Sequence, residues 1–339
     1  MLKRIIIITG AFFSFLFLNS CAENKEKINE EEAIITSTND TILVKYNEQI
    51  KTDPNNPDLY HERAKYFFAT QNVEAALADM NRVFILDSSK AEYFITLSAL
   101  YFSKGMAGNV KASLEKSIEL EPKNITALMK LAELYLYLEK HKECIGTIDK
   151  VLRIDKYNAK AYFIKGMAFK ETGDTAKAVS SFQTTVEQDP EYYHAYMQLG
   201  LLFSSANNKL AIDYFNSAIK INPQSTEAYY GLGLFLQENE MYEKAIEAYT
   251  IILQIDPIYK HAYYNLGYVH SEYLKDYKAA IGYFSNAIKS SPEYYEAFYM
   301  RGLSYERIGD LKNAEADYRA SLKIKPDYDL AAMGLNRIV

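Results

Sequence analysis

Five histidines and two cysteines are the side chains of this sequence best suited to metal ligation or nucleophilic attack. His61, His141, His194, His261 and His270 never stand three or four residues apart, the spacing that sets two imidazoles on one helix face around a zinc ion, so no metal is expected. Cys21 and Cys144 cannot build a disulfide framework. Gly231-Leu232-Gly233 opens like a dinucleotide loop, yet no third glycine follows and no strand-like run precedes it. Gly-x-Ser-x-Gly, the phosphate-binding loop and His-Glu-x-x-His are all missing from the sequence. Neither a catalytic residue nor a cofactor is therefore assigned, and no enzymatic activity is expected.

These residues sit in a repeating frame. Asp-Pro or an equivalent recurs at Pro54, Ser88, Pro122, Lys156, Pro190, Pro223, Pro257, Pro292 and Pro326, at intervals of 34, 34, 34, 34, 33, 34, 35 and 34 residues. Ten residues after each of the first eight markers stands a small side chain: Ala64, Ser98, Ala132, Gly166, Gly200, Gly233, Gly267 or Gly302. A second row avoiding bulk runs through Ala76, Val110, Cys144, Ala178, Ala211, Ala245, Ala280 and Ala314. Small residues on such a beat let two helices approach closely, and a marker proline suits the gap between helices because it lacks an N–H. Cys144 falls in this row, which makes it a buried small hydrophobe rather than a reactive thiol.

The period and these positions resemble the tetratricopeptide repeat family over residues 57–328. The resemblance implies an all-α fold, a right-handed α-α superhelix of about eight helical hairpins. The repeats are expected at 57–90, 91–124, 125–158, 159–192, 193–225, 226–259, 260–294 and 295–328, after a half repeat at 41–56 and before a capping helix at 329–339. Tyr60, Phe94, Leu128, Tyr162, Tyr196, Tyr229, Tyr263 and Phe298 occupy the core place where the family prefers Trp, absent from this chain. Tyr46, Met80, Leu114, Ile148, Phe182, Phe215, Tyr249, Phe284 and Tyr318 form the matching row of the second helices. Much of the excess of 30 Tyr and 17 Phe is thus assigned to the core. The residue lost at Ser204 to Lys209 and the one gained at Ser271 to Lys278 are placed in the turns between paired helices. Arg63, Lys165 and Arg301, at a usually apolar position, are expected to weaken their repeats.

The first twenty residues read as an address. Lys3 and Arg4 precede an apolar stretch from Ile5 to Leu18, shorter than the roughly 20 residues a spanning helix needs. Leu18-Asn19-Ser20-Cys21 resembles the lipobox of bacterial lipoproteins, which implies a signal peptide over 1–20, cleavage before Cys21 and lipidation of its thiol. Ala22 in place of Asp favours the outer membrane over the inner, and the polar, acidic residues that follow, to position 40, read as a flexible tether.

With signal, tether and repeats accounting for the whole sequence, the expected function is a non-enzymatic binding scaffold of the bacterial cell envelope. A net charge of −6 without a basic run in the body of the chain excludes nucleic acid as a partner. Family geometry lines a concave groove with positions 2, 5, 9, 12 and 13 of each repeat. From the fourth repeat on, positions 5 and 9 are continuously apolar or aromatic: Phe163, Met167, Met197, Leu201, Tyr230, Leu234, Tyr264, Tyr268, Tyr299 and Leu303. That stripe suits a peptide or amphipathic helix of a partner protein. A glycan or peptidoglycan strand is the alternative, since tyrosines also stack on sugars. Replacing Tyr230, Tyr264 and Tyr299 by Ala is expected to abolish capture and spare the helical signal.

Overall fold

The structure, a computed structural model, describes residues 41–339. The expected signal peptide, the lipidation site Cys21 and the acidic tether lie outside the described residues. All regular structure among the described residues is helical, without a strand. The chain divides into two compact units, up to Asp174 and from Thr175.

The first unit holds α1 (41–52), α2 (Pro57–Ala69), α3 (Val73–Leu86), α4 (Ala91–Ser103), α5 (Ala107–Leu120), α6 (Ile125–Tyr137), α7 (His141–Ile154) and α8 (Ala159–Glu171). The second holds α9 (Thr175–Gln188), α10 (Tyr193–Ser205), α11 (Leu210–Ile221), α12 (Thr226–Glu238), α13 (Tyr242–Ile255), α14 (Lys260–Tyr268), α15 (Tyr277–Ser290), α16 (Tyr295–Arg307), α17 (Leu311–Ile324) and α18 (Asp329–Ile338). Within each unit, consecutive helices pair as hairpins and successive hairpins stack.

Local chemistry explains where helices stop. Asp87, Asp155, Asp189, Asn222 and Asp256 follow second helices, and each side chain accepts the N–H two residues on, at 2.8–3.1 Å. This side-chain turn works without the marker proline, which is why Ser88 and Lys156 do not disturb the frame. Asn56, Asn124, Asn158 and Ser225 then cap the next helix by accepting one of its free N–H groups.

Each hairpin turn contains one left-handed residue: Gln71, Gly105, Glu139, Gly173, Asn207, Glu240, Lys275 or Gly309. At Gly105, φ is +69° and nothing lies within 4 Å of an added Cβ, so backbone strain alone opposes a side chain there. Gly105→Ala is expected to lower stability by about 1 kcal/mol, read from the urea midpoint; an unchanged midpoint would contradict that assignment.

Apart from Tyr46, which is half-buried, the second-helix row of large residues is the true core. Met80, Leu114, Ile148, Phe182, Phe215, Tyr249, Phe284 and Tyr318 are at most 1% exposed, and the small rows fit against them. An added Cβ at Gly200, Gly233 or Gly267 would lie 2.6–2.8 Å from the ring of Phe215, Tyr249 or Phe284. The first-helix row behaves differently from expectation. Only Tyr60 and Leu128 are buried, while Phe94, Tyr162, Tyr196, Tyr229, Tyr263 and Phe298 are half-buried. Polar anchoring is the reason at two places: the hydroxyls of Tyr162 and Tyr263 donate to the carbonyls of Lys156 and Pro257, at 3.1 and 3.2 Å, a bond that buried Tyr60 also makes, to Pro54 at 3.1 Å.

Two further expectations are corrected. The extra residue at Ser271 to Lys278 is absorbed not in the turn but inside the first helix, where Val269–Tyr273 forms a π-helical turn and Leu274 N–H donates to the Val269 carbonyl. The misplaced cations also have partners. Arg63 on α2 donates twice to Asp79 on α3, at 2.7 and 2.6 Å, and once to Asn47 on α1 at 2.6 Å. Arg301 on α16 repeats this with Asp317 on α17, at 2.7 Å twice, and Ser285 on α15 at 3.0 Å. Lys165 on α8 pairs with Asp149 on α7 at 2.7 Å. Each cation sits 16 residues from its acid and ties helices together instead of weakening them.

Candidate functional site

In the second unit the stripe is a ladder of tilted and edge-on ring contacts. Tyr230 on α12 lies 6.0 Å from Tyr259, Tyr264 on α14 lies 5.2 Å from Tyr294, and Tyr299 on α16 lies 5.5 Å from Tyr328, centroid to centroid. Tyr259, Tyr294 and Tyr328 are the residues just before the next first helix, in the N-cap position. Each rung also leans on the second-helix core: Tyr230 on Tyr249 at 6.3 Å, Tyr264 on Phe284 at 5.6 Å, Tyr299 on Tyr318 at 5.9 Å. Offset and edge contacts at such separations stabilise beyond the area they bury. Sequence reading missed the N-cap tyrosines. Their signal was an aromatic two places after the marker, at Tyr259, Tyr294 and Tyr328.

The ladder changes what these tyrosines are. Tyr230, Tyr264 and Tyr299 are half-buried packing residues, so their joint replacement by Ala would open cavities and harm the fold as well as any capture. Phe163 and Met197 are buried, at 4% and 1% exposure, and offer a partner no surface. Met167, Leu201, Leu234, Tyr268 and Leu303 are half-buried and retain an accessible side. Beside the ladder, His261 is exposed and its Nδ1 lies 3.2 Å from the Tyr294 hydroxyl.

Loss of water beside neighbouring side chains holds His194 and His261 below the ordinary histidine range, with Lys260 adding to the effect at His261. Burial likewise pushes the phenols of Tyr230, Tyr259, Tyr264 and Tyr299 up, so they remain neutral donors. Glu227 is also held above the usual carboxylate range by loss of water. In the first unit the equivalent face is polar and internally paired. Asp58 accepts from Lys90 at 2.6 Å and from the Tyr93 hydroxyl, and Lys65 bridges Glu62 and Glu92 at 2.9 and 2.7 Å.

Tetratricopeptide repeat models match residues 165–226, 272–329 and 214–247. Over those residues the chain carries tetratricopeptide repeats. A TPR repeat-containing protein of Methanocaldococcus jannaschii is 24% identical over 241 residues, covering 66% of this chain and 42% of that protein. The chain spans between 37% and 42% of the length of the first three curated relatives it matches. Among solved structures, the C-terminal part of a TPR repeat-containing protein from Cytophaga hutchinsonii matches at 19% identity and TM-score 0.62, covering 70% of this chain and 98% of that one. A tetratricopeptide repeat protein from Parabacteroides merdae matches at 18% and TM-score 0.51, covering 74% and 99%. These likenesses show the fold, a tetratricopeptide solenoid, and tetratricopeptide proteins in general mediate protein–protein interactions.

Nothing in the repeats concentrates reactive groups. Among the described residues no three His, Cys, Asp or Glu side chains could hold a metal ion together. Cys144 is fully buried on α7, and burial pushes its thiol up to about 12. In a Cys21→Ser variant, Cys144 is therefore expected to resist Ellman's reagent at pH 8 until denaturant is added. Rapid labelling of the folded protein would refute the burial.

Proposed function

We propose that this chain is a non-enzymatic, lipid-anchored scaffold of the bacterial cell envelope. Its second unit captures a peptide or helix of a partner protein, and the anchor places it in the outer membrane. The observation that carries the reading is the accessible apolar edge of Leu201, Leu234, Tyr268 and Leu303 along first helices braced by the tyrosine ladder. Bracing matters because a surface held rigid before binding loses less entropy on association. The ladder also disfavours a glycan, since Tyr230, Tyr264 and Tyr299 already spend ring surface on one another's neighbours. Anchoring rests on the Leu18-Asn19-Ser20-Cys21 motif.

A photocrosslinking residue at 234 or 303, activated in living cells and followed by mass spectrometry, is expected to trap one recurrent envelope protein. The same residue at 247, on the outer helix, is expected to trap none. Equal trapping from both places would reject the groove. Cys21→Ser is expected to release the protein from the membrane fraction; retention in that fraction would reject the anchor.

A further inference from the structure

We infer that the groove takes an extended, proline-bearing segment of its partner, with one proline seated in the corner between Tyr268 and Tyr273; this rests on the groove reading above. The seventh repeat keeps its additional residue in a telling place. Added to an exposed hairpin turn, a residue disturbs little. Here it lies instead in the π-helical turn Val269–Tyr273, where Val269 and Ser271 are buried and the Ser304 hydroxyl of α16 donates to that of Ser271 at 3.4 Å. Turns of this kind give up regular helical bonding and recur at functional sites.

The π-turn delivers a ring. Tyr273, at its end, is exposed and stacks on Tyr242 of α13, with centroids 4.3 Å apart and planes inclined by 20°. Tyr268 meets Tyr273 at 72° and 5.9 Å, and lies in turn 6.4 Å from Tyr264 at 23°. Four rings thus run without a break from the ladder to the hairpin turns. At the matching junctions the first unit places charge. Lys104, which follows the start of α4 as Tyr273 follows that of α14, pairs with Glu74 on α3 at 2.6 Å, and Glu171 stands 3.5 Å from His141. An aromatic corner in place of charged groups selects an uncharged, flat-sided side chain.

Proline fits such a corner because its ring is rigid and its nitrogen carries no N–H to strand against apolar faces. Spacing agrees with that occupant. Leu201, Leu234, Tyr268 and Leu303 recur once per repeat, and neighbouring helices pack about 8–10 Å apart. A polyproline II segment brings every third residue back to one face after about 9 Å, whereas an α-helix repeats after about 5 Å and a strand after about 7 Å. One turn of the segment therefore spans one repeat, and its backbone is ordered before it binds. Tyr242 covers one face of Tyr273, the surface on which a sugar would stack.

The test uses the full chain and a fluorescein-labelled twelve-residue peptide with Pro at every third position and Ser or Thr elsewhere. Its twin carries Ala in place of each Pro, and a third peptide of equal length is a leucine-faced amphipathic helix. By fluorescence anisotropy the Pro peptide is expected to bind about tenfold tighter than the Ala twin. Tyr273→Ala should remove that preference and Tyr273→Phe should keep it, with the helical signal of both unchanged because the side chain is exposed. Tyr157→Ala, which removes an exposed ring of the first unit, should leave the preference intact. Failure of the Pro peptide to bind, equal binding of its Ala twin, or indifference to Tyr273→Ala overturns the inference. If the helical peptide binds instead and Leu234→Gln weakens it, the groove stands and the proline-bearing partner falls. Binding of a soluble peptidoglycan fragment in place of every peptide rejects both.

Discussion

Replacing Gly200 by Leu is expected to lower stability by about 3 kcal/mol, read as a fall in the urea midpoint at unchanged slope. Gly200 on α10 faces the ring of Phe215 on α11, and an added Cβ would stand 2.7 Å from Cε1 and 2.8 Å from Cδ1. The ring has nowhere to go. On its other side Gly231, on α12, would place a Cβ 2.7 Å from the same Cε1, so Phe215 is held between two bare backbones. The cost is overpacking of a core residue that solvent does not reach. Trimming the ring should recover part of the loss, so the pair Gly200→Leu and Phe215→Leu is expected to be more stable than the sum of the single changes. Gly146 is the contrast. It lies exposed in α7 with nothing within 4 Å of a Cβ, and Gly146→Ala is expected to add about 1 kcal/mol through helix propensity. A Gly200→Leu variant that melts like the parent would refute the close approach of these helices.

Asp317→Ala is expected to cost about 3 kcal/mol in the same measurement. The side chains of Arg301 and Asp317 are 20% and 8% exposed, and two charge-assisted hydrogen bonds of 2.7 Å join them. Removing the acid strands the guanidinium among α15, α16 and α17 with only the Ser285 hydroxyl. The penalty is the stranded charge, not the lost attraction, and the two readings separate in the double variant. Arg301→Leu with Asp317→Ala is expected to be more stable than Asp317→Ala alone, because an apolar side chain needs no partner there. A double variant less stable than the single would show that the ion pair stabilises the fold by itself.

How far the sequence could be read depended on how far apart the interacting residues lie. The beat of Gly200, Gly233, Gly267 and Gly302 against Phe215, Tyr249, Phe284 and Tyr318 was legible, because smallness and bulk at a fixed spacing have one packing solution. Arg63, Lys165 and Arg301 were misread as blemishes. Their acids stand 16 residues away on another helix, outside any single-helix pattern. The candidate site was half legible. The stripe of apolar residues was visible, yet which of them face a partner was not. Phe163 and Met197 share the repeat position of Tyr230 but are buried.

By itself the sequence determined that helices form, where they stop and which faces carry bulk, since periodicity, side-chain turns and caps act within a few residues. Only the tertiary structure decided that Tyr259, Tyr294 and Tyr328 pack their rings against the rungs before them, and that an inserted residue becomes a π-turn. The ring contacts join residues about thirty apart and follow from how one hairpin is rotated onto the next, and the π-turn is the helix absorbing one residue where the packing on either side is fixed.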